Sequence, residues 1–268
     1  MKHIALLSVF AAAPALLLGT PLTGTLTLSG GTGQLVAVGL CSGSTTNFCI
    51  DFDWTGTSTA GPPQLATSGT IDGTGDSAVF TTNNSFFTSN GGVASNAIVA
   101  DLTSALEPTG GSVSDADFIT FPSDPTWSVT LTEVLPGSDP VSATCQADAL
   151  SSGQTCTPAG TPFNEQNIGA CTSSVNCSAV ISFSFIGTAT DGSGTSQVLG
   201  SFSNTFSQTD FQAIDLAIAG HDDVVTSDSG TVNFTVTPTV PEPMSSALLG
   251  TGLIALGVLG RKRRKTRA

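Results

Sequence analysis

Apolar and polar residues alternate with a period of two along this chain, and no helical period lasts three turns; nothing else restricts the fold as much. Thr126 to Val134 sets Trp127, Val129 and Leu131 against Ser128, Thr130 and Thr132. Ala179 to Gly187 sets Ile181, Phe183 and Phe185 against Ser182 and Ser184, and Thr231 to Thr237 sets Val232, Phe234 and Val236 against Thr231, Asn233, Thr235 and Thr237. Successive side chains of a strand face opposite ways, so these segments read as half-buried strands. Weaker candidates are Leu22 to Leu28, Gln34 to Leu40, Phe48 to Trp54, Ser77 to Thr81, Ala97 to Leu102, Gln197 to Phe206 and Phe211 to Ile218. Asp72-Gly73, Asn90-Gly91-Gly92, Gly110-Gly111 and Asp191-Gly192 punctuate them as turns. About ten short strands, each with a Ser/Thr face and an aliphatic or Phe face, predict an all-β domain: an antiparallel β-sandwich, with a jelly roll among its forms.

A chain of 268 residues is long enough for one large β domain or two small ones. Residues 25–239 read as one, in which Pro136 to Gly169 is a long stapled excursion rather than a second core. The staples are cysteines. Six of them, an even number, stand at Cys41, Cys49, Cys145, Cys156, Cys171 and Cys177, which in an exported chain reads as a disulfide framework. Six allow fifteen pairings. Proximity suggests Cys41 with Cys49, Cys145 with Cys156, and Cys171 with Cys177, each closing a short loop worth about 2–3 kcal/mol. Zinc would need CxxC-type spacing or histidine ligands, whereas His221 is the one histidine after His3.

Charge excludes whole classes of partner. Six of the seven Lys and Arg residues lie in the last eight positions and the seventh is Lys2, so no base stands between His3 and Gly260. All twenty acids fall between Asp51 and Glu242. Binding a polyanion depends on Lys and Arg displacing condensed counterions, so nucleic acid is not a partner. Uniform negative sign keeps copies apart at some cost in self-repulsion, which bound divalent cations would relieve. Exposed sheet edges lack Lys guards, leaving Asp, Pro and bulges to prevent edge pairing.

Both ends carry addresses. Met1-Lys2-His3 and the apolar run Ile4 to Ala13 have the shape of a secretory signal within residues 1–24, with cleavage between Ala15 and Gly24. At the other end Ser245 to Gly260 is sixteen residues without a charge. As a helix it would span about 24 Å, short of a hydrocarbon core about 30 Å thick but within reach of thinning and snorkelling. Arg261, Lys262, Arg263, Arg264 and Lys265 follow, and positive flanks stay cytoplasmic, so the body lies outside. Ahead of the helix, Val240, Pro241, Glu242 and Pro243 hold the backbone extended just outside the membrane.

Residues 240–268, with motif 240–243, helix 245–260 and basic tail 261–268, resemble the PEP-CTERM sorting signal. The resemblance implies recognition by exosortase, a multispanning transpeptidase-like membrane enzyme, cleavage near the motif, and transfer of the body to the surface or extracellular matrix of a Gram-negative bacterium that makes exopolysaccharide. The body is then expected to have a structural or adhesive role in biofilm, with carbohydrate binding as the alternative and a secreted hydrolase as a remote one.

No catalytic residue is assigned, and the chain is expected not to be an enzyme. Gly75-Asp76-Ser77 with His221 lacks a GxSxG elbow, and His221-Asp222-Asp223 reads as a polar turn. Asp115 with Asp117, or Asp51 with Asp53, would be paired carboxylates only if a cleft joined them; solvated turn acids are the default. No metal site is assigned and no cofactor is expected, with structural Ca²⁺ kept as the one candidate. Asp72-Gly73-Thr74-Gly75-Asp76 and Asp191-Gly192-Ser193-Gly194 resemble oxygen-rich Ca²⁺ loops without completing the spaced-ligand pattern. For sugars, Trp54 is the plausible stacking platform, since Trp127 lies on an apolar strand face.

Overall fold

The computed structural model describes residues 24–30, 35–52, 57–59, 64–68, 77–82, 96–123, 125–147, 149–190, 192, 194–227 and 231–238. The secretory signal up to residue 23, Asp53 and Trp54, the loop from Asp72 to Asp76, Asp191, Ser193, and all of 239–268 with its sorting motif and basic cluster lie outside them. Among the described residues no helix is long and apolar enough to cross a membrane.

The described residues form strands β1 (Gly24–Gly30), β2 (Leu35–Leu40), β3 (Phe48–Asp51), β4 (Thr57–Ser58), β5 (Ala66–Ser68), β6 (Ser77–Thr82), β7 (Asn96–Ala100), β8 (Leu102–Thr103), β9 (Ser112–Thr120) and β10 (Ser128–Val134). They continue with β11 (Val141–Ser142), β12 (Thr155–Pro158), β13 (Asn164–Gly169), β14 (Cys177–Thr190), β15 (Thr195–Phe206), helix α1 (Phe211–Ala219), β16 (Val224–Ser227) and β17 (Thr231–Pro238). Among the described residues the protein is therefore all-β with one short α-helix, and every pair of these strands is antiparallel except β11–β12.

The large sheet runs β10-β9-β7-β6-β1-β17-β15-β14-β13-β12-β11, and β10 also pairs with β14. That extra pairing turns eight strands into a closed ladder. It works because β14 is long enough to have two partners on one side: Cys177 to Ser182 pairs with β13, and Phe185 to Thr190 pairs with β10. Its other side pairs with β15 from Ala179 to Thr190. Closure gives β10 a second partner and leaves β11 as the open end of the large sheet, with β16 and β8 ending the smaller one. A second sheet, β16-β2-β3-β8, packs on the inner face of β14 and β15.

The packing follows from the alternation. In β14, Cys177, Ala179, Ile181, Phe183, Phe185, Gly187 and Ala189 are buried and the residues between them are half-buried. Phe52 beyond β3 meets Phe202 edge-on at 5.0 Å, Phe202 lies 5.5 Å from Phe183, and Phe118 meets Phe185 edge-on at 5.2 Å. Offset and edge-on pairs of this kind contribute beyond their buried area; Phe52–Phe202 links the two sheets, while the other two pairs join strands of the large sheet. Gly200 is opposite Phe185 in the ladder, and a Cβ there would overlap the Phe185 ring. Trp127 is buried against Phe121.

Two expectations change. Phe211 to Ile218 is helix α1, not a strand. Asp210 caps it, its carboxylate accepting from the Ala213 amide at 2.8 Å, and Phe211 and Ile214 turn inward at helical spacing. The excursion from Pro136 to Gly169 is no appendage either: β13 joins the β14 ladder along its whole length, so the segment extends the large sheet. Strand β9, which the alternation passed over, is irregular because its register with β10 slips between Val129 and Leu131 around Asp117, a residue at φ 110°.

Candidate functional site

Helix α1 is held against β13 by a chain of buried amides. Asn167, fully buried, donates to Gln212 Oε1 at 2.8 Å and accepts from the Phe211 amide at 3.0 Å, while Gln212 donates to Gln154 Oε1 at 2.8 Å. Every member has a partner, which is what burial of an amide requires. At its far end the helix closes with two bonds, from the His221 amide to Ile218 O and from the Asp222 amide to Ala217 O. That is a Schellman turn with His221, at φ 67°, in the left-handed position where glycine is usual.

This docking brings Asp215 of α1 to Glu165 of β13. Glu165 faces Cys156 across the β12–β13 ladder, and Cys156 is bonded to Cys145, so the pair lies against a disulfide. Cys145 Sγ and one oxygen from each carboxyl lie within 4.8 Å of one another. Glu165 is 2% exposed, and no donor reaches its Oε2 or Asp215 Oδ2. Burial, with the Asp215 charge and hydrogen bond adding to it, pushes the Glu165 carboxyl up to about 10. Burial raises Asp215 to about 6 against the opposing hydrogen bond from Glu165. At neutral pH Glu165 is thus the protonated acid donating to the Asp215 carboxylate, and the two share one negative charge.

The pair opens onto a cavity of about 440 Å³. Val38, Phe163, Ile181 and Ile218 supply apolar wall, and Ser142, Gln146, Thr161 and His221 are among its polar lining. Such an arrangement can pass a proton between two carboxyls or, once the shared proton is displaced, hold a cation with oxygen ligands.

The residues singled out from sequence meet different fates. The three disulfides join Cys41 to Cys49, Cys145 to Cys156 and Cys171 to Cys177. Asp115 is half-buried and Asp117 exposed at the β9 irregularity, away from the cavity lining. Burial, then the neighbouring Asp117 charge, holds Asp115 above the usual carboxylate range. His221-Asp222-Asp223 is a turn, and His221 reaches the cavity rim but not the carboxyl group of ligand atoms. Asp51 is buried in β3, with its expected partner Asp53 outside the described residues.

Glu165 and Asp215 went unselected because they are fifty residues apart and each stands in a segment that alternation misreads. In β13 the inward residues are Glu165 and Asn167 while Ile168 faces out, the reverse of the usual pattern. The available signal was Asp210 preceding apolar residues at 211, 214 and 218, a capped helical pattern that would have put Asp215 beside the core. The chain matches no family model, no curated protein and no solved structure.

Proposed function

We propose that this is an exported bacterial surface or matrix protein, sorted by residues 240–268, processed by exosortase, and structural or adhesive rather than enzymatic. The observation that carries the reading is the ordered tail: Pro241-Glu242-Pro243, an uncharged apolar segment, then Arg261 to Lys265. Three disulfides and no free cysteine among the described residues fit an oxidising compartment. Strand β17 ends at Pro238, so cutting at the motif leaves every described strand in place.

The domain itself is a sandwich in this reading, with the four-stranded sheet as one layer and β14–β15 central to the other. Hydrogen-bonded carboxyls lie closer together than the pairs that hydrolyse glycosides, which stand roughly 5–9.5 Å apart, and this supports a role without catalysis. The partner class is extracellular polysaccharide; with Trp127 buried, the stacking platform of this reading is Trp54, which lies outside the described residues.

Mass spectrometry of the intact mature protein from cell envelope or medium tests the sorting. A mass ending near Pro243 is expected, and a retained tail through Arg267 would sink the claim. Retention on a panel of matrix polysaccharides tests the partner class, and passage through all of them would remove it.

A further inference from the structure

We propose that Glu165 and Asp215 form a binding site for one calcium ion, reached through the cavity between α1, β2 and β13. The case begins with how buried acids are treated elsewhere in the fold. Asp101 accepts from the Phe52 amide at 2.7 Å, Glu107 from the Thr103 amide at 2.9 Å, and Asp210 from the Ala213 amide at 2.8 Å. Glu165 is buried more deeply than any of these three, yet where each of them has a backbone amide its one partner is Asp215, another acid, and no donor reaches its Oε2 or Asp215 Oδ2. A buried carboxyl left without a donor is costly, and native folds keep few of them.

The shared proton leaves one negative charge, and no side-chain cation of the body can pair with it, because no Lys or Arg stands between His3 and Gly260. Both acids are among the lining of the cavity of about 440 Å³. It has room for an ion and several waters, and Ser142 and Thr161 are among its lining residues. The donor set selects the ion. Cys145 is the only sulfur in the group, and its bond to Cys156 leaves no thiolate, while His221 lies outside the cluster. Oxygen-only ligands with water completing the shell suit a hard cation, and two carboxylates with an adaptable remainder suit Ca²⁺, which takes about 6–8 oxygens in loose geometry. This site is distinct from the Asp72 and Asp191 loops and does not depend on how the tail is processed.

The test is calorimetric titration and thermal melting of the full-length oxidised chain, comparing wild type, Glu165→Gln and Asp215→Asn in Ca²⁺ and in EDTA. Glu165→Gln is nearly isosteric and keeps an N–H to donate to Asp215, so it retains the fold; Asp215→Asn is the second, independent lesion. The wild type should bind Ca²⁺ and melt roughly 5 °C higher at about a hundredfold excess over Kd. Both variants should melt near the wild type in EDTA and lose most of that rise. No Ca²⁺-dependent rise in the wild type would overturn the site. A rise that persists in both variants would do the same, placing the ion elsewhere.

Discussion

Strands β14 and β13 lie side by side and alternate with the same period, but they bury opposite kinds of side chain. Strand β14 turns Ile181, Phe183 and Phe185 inward, whereas β13 turns Glu165 and Asn167 inward and leaves Ile168 in solvent. The apolar face needs only complementary shape, because dispersion and desolvation are non-directional. The polar face needs a named partner for each atom. Asn167 has Gln212 and the Phe211 amide, but Glu165 has only Asp215, another acid. One half of the molecule is thus secured by its composition, and the other by which groups happen to meet.

The comparison is most strongly challenged by Phe183→Ala, which empties a site touching Phe163, Phe185 and Phe202. A loss of about 3–5 kcal/mol is expected in urea unfolding followed by Trp127 fluorescence. A loss under about 1 kcal/mol would mean that the aromatic cluster adds little to the apolar half of the core. Replacing both Cys145 and Cys156 with Ala should cost about 2–3 kcal/mol in the same assay. It removes the cross-link behind the carboxyl pair, and an unchanged midpoint would refute a stabilising role.

Asn167→Ala should cost about 1–3 kcal/mol, since it strands the Gln212 amide and the Phe211 N–H. Hydrogen exchange should then rise first in α1; uniform change across the fold would argue against a local clasp. Acidity probes the same region with the reverse of the usual sign. In the unfolded chain both carboxyls ionise near 4, whereas folding raises Asp215 to about 6 and Glu165 to about 10. The folded state therefore holds extra protons, and the stability they represent is complete below the unfolded values and lost as pH rises through the folded ones. Melting in EDTA should climb as pH drops from about 8 to about 5, and Glu165→Gln should flatten the slope. The smallest effect belongs to His221→Gly, which frees a left-handed position and should stabilise by about 0.5 kcal/mol. A lower melting temperature would indicate that the His221 ring supports the turn.

Strands β10, β14 and β17 were legible because their alternation runs for seven residues or more. Strand β9 was not, since an irregularity at Asp117 breaks its period. Helix α1 was missed because nine residues give too few turns for a helical period to dominate, even with Asp210 as cap. The site was hidden for a different reason. A hydrophobic residue declares burial by itself, but Glu165 reads as solvated until its neighbours are known.

By itself, then, the sequence determined the all-β class, an acidic body without Lys or Arg, a set of cysteines suited to cross-linking, and a tail that resembles a sorting signal. These are properties of composition and local order, which chemistry imposes wherever the chain goes. The tertiary structure alone decided that the β14 ladder closes on β10, that β13 faces its polar side inward, and that Glu165 meets Asp215 beside a disulfide. Those are long-range pairings set by register and helix docking, and no local pattern encodes which distant partner a polar side chain will find.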